Sequence, residues 1–200
     1  MIFLWTIVAF LAGSCMFSYW IGRMKRHNLK MYGDGNPGAI NLWKAAGFTY
    51  GVCGIVLDFA KGYLPMLLMH HSGAVTGFGI LIPAAAAIMG HMFSPFTGWK
   101  GGKAIAVTFG VWSGLTGFAA SLAYAIILAV LLSATRLMNK GKPTTSETDA
   151  FHVVLGMLLL AIYLVLDSYS WPYVLFGIIN FLLLAYSHRK ELTAVKDMNY

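Results

Sequence analysis

The chain has 200 residues, of which 58% are hydrophobic and 10% charged, and a mean hydropathy of +0.70. A soluble domain carries about a quarter charged residues, so the composition excludes a soluble enzyme and a disordered chain. The net charge of +7 and pI of about 9.5 do not indicate a nucleic-acid reader, because Lys and Arg of a lipid-embedded chain mark its cytoplasmic loops.

A membrane-crossing helix needs about 20 apolar residues. Residues 2–22 form the first such run. It is too long for a cleaved signal peptide and its basic flank lies at the wrong end, so it reads as a span. Residues 48–69 form a second run and residues 77–93 a shorter third. Residues 104–135 are too long for one span, and Ser113-Gly114-Leu115-Thr116-Gly117 offers a turn that divides them. Residues 151–166 and 171–185 follow, separated by Asp167-Ser168-Tyr169-Ser170. The expected fold is therefore an all-α integral membrane protein of about seven transmembrane helices, forming a single membrane-embedded domain over residues 1–200. Five spans remain the alternative, with 77–93 and 104–117 re-entrant.

Charge orients the set. With the N-terminus outside and the C-terminus cytoplasmic, the loops at 23–47, 94–103 and 136–150 and the tail from 187 carry 13 of the 14 Lys and Arg residues. The exception, Lys61, lies inside the second run with Asp58 three residues earlier, a spacing at which the two pair on one helix face. That pair reads either as a structural device or as a substrate contact. Cys15 and Cys53 fall in apolar runs and suit packing rather than a disulfide or a metal. His70-His71 reads as a polar cap in an external loop, and residues 139–149 as a mobile cytoplasmic loop whose Ser146 or Thr148 caps the next helix.

Two cytoplasmic loops carry the chemistry. The first, Gly33-Asp34-Gly35-Asn36-Pro37-Gly38-Ala39-Ile40-Asn41, ends near Lys44. Closely spaced glycines let the backbone turn tightly and aim several N–H groups at one point, which suits phosphate oxygens. A short helix starting after Gly38 adds positive potential there. The second, Lys100-Gly101-Gly102-Lys103, places two ammonium groups around two flexible glycines at a helix N-terminus. Each has a bland explanation, since glycine loops connect elements and cytoplasmic lysines follow from orientation alone. Their shared face is the stronger sign, because one anion can then be held from two sides.

The pairing resembles the bacterial membrane glycerol-3-phosphate acyltransferases that use acyl-phosphate as donor. Residues 33–47 are similar to that family's G-S-G-N-x-G-A-T-N-x-x-R-x-x-G motif, and Leu57-Asp58-Phe59-Ala60-Lys61-Gly62-Tyr63-Leu64-Pro65 to its L-D-x-x-K-G-x-x-P run. Gly90-His91-Met92-Phe93-Ser94-Pro95-Phe96 and Lys100-Gly101-Gly102-Lys103-Ala104-Ile105-Ala106 resemble its G-H-x-x-P-x-F and K-G-G-K-G-V-A-T segments. Tyr186-Ser187-His188-Arg189 matches the start of its C-terminal H-R-x-N motif. Four motifs in order cover nearly the whole chain.

The resemblance implies a multi-pass enzyme of the bacterial plasma membrane, acting as a monomer, that moves a fatty acyl group from acyl-phosphate to glycerol 3-phosphate in phospholipid synthesis. No cofactor, metal or nucleic acid is implied; the partners are the two small substrates and membrane lipid. Lys103, Lys44 and the backbone of Gly33, Gly35 and Gly38 would hold phosphate with Lys100, Gly101 and Gly102 beside them, and the amides of Asn36 and Asn41 match the family's. His188 would orient the acceptor, while the substrate's own phosphate serves as base.

Three departures from the pattern bear on chemistry: Asp34 stands where the family has Ser, Lys44 where it has Arg, and Glu191 where it has Asn. A carboxylate about 4 Å from a phosphate charge costs roughly 4 kcal/mol at an effective dielectric of about 20, and Lys lacks the bidentate fork of Arg. These changes leave two alternatives open: another acceptor, or a non-catalytic lipid-binding protein. A small transporter, resting on Asp58 and Lys61 alone, is the weaker third.

Overall fold

The structure, a computed structural model, describes residues 1–197, with side chains to residue 194. The regular elements among these residues are helical: α1 (Ile2–Ser14), α2 (Phe17–Met24), α3 (Ala39–Ala46), α4 (Phe48–Ser72), α5 (Leu81–Met92), α6 (Ile105–Thr116), α7 (Ala119–Met138), α8 (Ser146–Leu166), α9 (Trp171–Ser187) and α10 (Arg189–Asp197). Among the described residues five segments are long and apolar enough to cross a membrane: Ile2–Met24, Phe48–Ser72, Gly77–Thr97, Ala119–Met138 and Ser146–Leu166. Helices α6 and α9 are shorter and apolar. The chain divides into two compact units, one ending at Gly117 and the other beginning at Phe118.

In the first unit α1 packs on α5 and α4 on α6. Between helices in lipid there is little hydrophobic drive, so close backbone approach through small residues takes its place. A Cβ at Gly110 would collide with the Phe59 carbonyl of α4, and one at Gly13 with the Ala87 carbonyl of α5. Met66, Met69, Val107, Val111 and Trp112 are fully buried in this unit.

The first apolar run is broken at Cys15–Met16, between α1 and α2. The carbonyls at the break find distant partners: Ser94 Oγ donates to the Ser14 carbonyl at 2.7 Å and Lys61 Nζ to the Cys15 carbonyl at 2.5 Å. Lys61 also pairs with Asp58 Oδ1 at 2.7 Å, and Ser18 Oγ donates to Asp58 Oδ2 at 2.8 Å. Both charged side chains are buried. The ion pair of α4 therefore reaches the backbone at the break between α1 and α2.

The long run at 104–135 divides where Gly117 and Phe118 both adopt left-handed conformations, φ 56° and 70°. Two smaller expectations are corrected. His70 and His71 belong to the last turn of α4, not to a loop, because the helix runs on to a left-handed cap at Gly73. The cap of α8 is Thr145, whose Oγ1 accepts from the Thr148 amide at 3.3 Å; Ser146 is the first helical residue.

In the second unit α7, α8 and α9 pack in sequence. Tyr124 of α7 is buried and donates to the Val153 carbonyl of α8 at 2.8 Å. Thr135 Oγ1 lies 2.9 Å from Nε2 of buried His152.

Candidate functional site

The glycine loop folds on itself before it meets any other element. Gly33 and Gly35 take φ values of 54° and 73°, where a Cβ is costly, and the Gly35 amide donates to the Tyr32 carbonyl at 3.0 Å. Asp34 then acts as the hub. Its Oδ1 accepts from the Asn36 amide at 3.1 Å and from Asn41 Nδ2 at 2.7 Å, and Asn41 Nδ2 also donates to the Asn36 carbonyl at 2.9 Å. Asn41 is buried in the first turns of α3, which starts from an extended Gly38. Lys44 follows Asn41 by three residues on the same helix face. Its ammonium lies over Gly33, where a Cβ would meet Lys44 Nζ at 2.9 Å.

The lysine loop is pinned to the end of α5. Gly101 and Gly102 donate their amides to the carbonyls of Met92 and His91, both at 3.0 Å. The buried His91 ring covers Gly102, so neither glycine has room for a side chain. Ala104 then adopts a left-handed conformation, φ 63°, and caps α6. Between these anchors Lys103 reaches out, and its Nζ meets Asp34 Oδ2 at 2.6 Å.

Two loops far apart in sequence therefore converge on one carboxylate. The side chains of Lys103 and Asp34 are 18% and 28% exposed, a half-buried setting in which a charge-assisted bond is stronger than at an open surface. Burial of Asp34 opposes its ionisation. The hydrogen bond from Lys103, the Asn36 amide, the charge of Lys103 and the Asn41 amide outweigh that and hold the carboxyl below the usual Asp value. Asp34 is thus an anion at neutral pH, gripped by two N–H groups and an ammonium.

The structure brings together Gly33, Asp34, Gly35, Asn36, Asn41, Lys44 and Lys103. Gly38 serves as the cap of α3, and Gly101 and Gly102 as the seat of Lys103. Lys100 is exposed. His188 and Glu191 belong to the second unit. His188 is buried at the end of α9, with Nδ1 2.9 Å from the Leu184 carbonyl and 2.9 Å from Ser187 Oγ. A carbonyl only accepts, so an Nδ1 proton is assigned to that bond. Glu191 sits in the first turn of α10, where the free amides of a helix favour a carboxylate. His91 and Ala104 are the site residues that motif reading left without a role; the unbroken Gly90-His91 dipeptide was the available signal for the first. Among the described residues no group of three His, Cys, Asp or Glu side chains is placed to hold a metal.

Residues 3–197 match the family described as glycerol-3-phosphate acyltransferase. Among curated relatives, glycerol-3-phosphate acyltransferase 1 of Thermotoga maritima is 40% identical over 191 residues, covering 92% of this chain and 93% of that protein. The glycerol-3-phosphate acyltransferase of Streptococcus thermophilus is 33% identical over 201 residues, covering 98% of this chain and 90% of the relative. The fold is also similar to the crystal structure of an integral membrane glycerol 3-phosphate acyltransferase in its glycerol 3-phosphate form. That similarity has a TM-score of 0.81 at 26% identity and covers 98% of this chain and 92% of the other. The lysophosphatidic acid form of that enzyme gives a TM-score of 0.82, again at 26% identity and with the same coverage.

Proposed function

The chain belongs to the glycerol-3-phosphate acyltransferase family, and from that premise we propose that it transfers a fatty acyl group from acyl-phosphate to glycerol 3-phosphate, giving lysophosphatidate for phospholipid synthesis at a bacterial plasma membrane. The observation that carries this reading is the meeting of the two loops, which focuses Lys103, Lys44 and the N–H groups around Asp34 on one anion-sized point.

The acceptor hydroxyl attacks the acyl carbonyl carbon, the carbonyl–phosphate bond breaks, and inorganic phosphate leaves. Its oxygens gain charge as the bond lengthens, and ammonium groups fixed beside them stabilise that charge without reorganising. The hydroxyl proton passes to the acceptor's own phosphate. His188 keeps the role the family resemblance implies, orienting the acceptor. The membrane topology we propose has seven spans with the N-terminus outside and the C-terminus cytoplasmic, supported by 13 of 14 Lys and Arg residues falling on one side.

The test is product formation by the purified, detergent-solubilised protein given acyl-phosphate and labelled glycerol 3-phosphate, with Lys103→Ala beside it. Labelled lysophosphatidate from the native protein and a loss of about 100-fold or more in the variant are expected. Folded native protein that makes no product overturns the reading. Labelled glycerol run in parallel tests an acceptor without phosphate, which the carboxylate of Asp34 favours.

A further inference from the structure

Asp34 does more than depart from a motif. Residues 1–117 contain two carboxylates, Asp34 and Asp58, and Asp58 is committed to Lys61 and Ser18 inside the helices. Asp34 is therefore the one acidic group free to act at the loops of this unit. Its surroundings are those a bound phosphate would demand: two N–H donors on Oδ1 and an ammonium on Oδ2, with the Lys44 ammonium nearby over Gly33. With the Asn36 amide, Asn41 and Lys103 aimed at its oxygens, the carboxylate is a poor proton acceptor and a good anionic ligand.

We propose that Asp34 is a built-in anion that competes with inorganic phosphate for Lys103 and so expels the phosphate released by the reaction. The proposal rests on the reading of these loops as the phosphate site. An oxyanion entering the site must take Lys103 away from Asp34 or bind without it. Inorganic phosphate has only the remaining donors of the loops, Lys44 among them, to offset that loss. Glycerol 3-phosphate brings hydroxyl groups as well, and acyl-phosphate brings an apolar chain held by lipid and helices. The carboxylate thus weakens all phosphate binding but leaves the simple product the weakest ligand. Once the acyl–phosphate bond has broken, the return of Asp34 to Lys103 displaces the leaving group into water.

Two variants test this, and calorimetric titration with inorganic phosphate reads it without requiring turnover. Asp34→Asn keeps the Oδ1 that accepts from Asn36 and Asn41 but removes the negative charge facing Lys103. Asp34→Ser removes charge and bulk together, with a hydroxyl still able to accept from the Asn36 amide. A half-buried ion pair ranks between a surface pair and a charge-assisted hydrogen bond. We therefore expect both folded variants to bind inorganic phosphate about tenfold more tightly than the native protein, and product inhibition by phosphate to strengthen by a similar factor. Glycerol 3-phosphate, which meets the same competition at Lys103, binds more tightly by a similar factor. Unchanged or weaker phosphate binding in the folded variants overturns the proposal. So does complete loss of acyl transfer in folded Asp34→Asn, which would make the carboxylate a participant in the chemistry. Absence of lysophosphatidate from the native protein instead strikes the assignment of the activity, which the titration does not measure.

Discussion

Lys61 donates to the carbonyl of Cys15 at 2.5 Å across 46 residues of sequence, and the carbonyl it reaches lies at the break between α1 and α2. The same ammonium neutralises Asp58. Removing one partner of a buried pair leaves the other charge uncompensated and costs about 3–5 kcal/mol, whereas replacing both with apolar residues is far milder. Lys61→Met is therefore expected to lower thermal stability in detergent much more than Lys61→Met with Asp58→Leu. A single variant no less stable than the double would show that the break does not depend on the pair.

Gly101 and Gly102 seat Lys103 against α5, and the two seats differ. A Cβ at Gly101 would strike the backbone carbonyl of His91, while one at Gly102 would strike the His91 ring. A side chain can be removed and a carbonyl cannot. Both Gly101→Ala and Gly102→Ala should reduce acyl transfer, and adding His91→Ala should restore part of it to Gly102→Ala alone. Equal rescue of both would remove the contact as the cause.

Ala104 is left-handed at φ 63°, a conformation that costs an L residue about 1–2 kcal/mol and glycine nearly nothing. Its buried methyl contributes up to about 0.8 kcal/mol in the other direction. Ala104→Gly is thus expected to raise the unfolding midpoint slightly, although it empties a buried position. A clear fall in the midpoint would mean that packing, not backbone strain, governs this cap.

The carboxyl of Asp34 is held below its usual pKa because, although burial acts against ionisation, Lys103, Asn36 and Asn41 together act more strongly for it. A depressed folded pKa contributes stability that is present above the unfolded value, about 3.9, and is lost as pH falls through the folded value. The stability difference between native protein and Asp34→Asn should be constant from pH 7 to about pH 5 and shrink on further acidification below about pH 4. Midpoints of the two proteins followed in parallel check it. A gap that widens with acid would give the shift the opposite sign.

The sequence discloses the apolar runs, the positions of the lysines and the two loops, because each is a local pattern that lipid and phosphate chemistry impose on neighbouring residues. It discloses the division near Gly117 for the same reason, since a run of 32 residues in the sequence exceeds one span. The break at Cys15–Met16 is different. Its cause lies on Lys61 and Ser94, 46 and 80 residues away, and nothing in an unbroken apolar stretch announces a partner that distant. The direction of Asp34 is likewise decided by Asn41 and Lys103, and its residue type alone fits an outward or an inward carboxylate. His91 is illegible for a third reason: its work is to occupy the space above a glycine, which appears only when the loop is folded onto α5.

Helix α6 has 12 residues and so rises about 18 Å, against a hydrocarbon layer about 30 Å thick. One end of such a helix carries Lys103 and the other the turn at Gly117. On the proposed topology they cannot lie one at each face of an undeformed bilayer. The membrane must thin around α6, or the lysine must sit beneath the plane of the headgroups. Either way a reactive carbonyl anchored by a long acyl chain has a shorter climb to the ammonium group. On that topology, chain length in the surrounding lipid is expected to change turnover through hydrophobic mismatch rather than through any contact with the substrate.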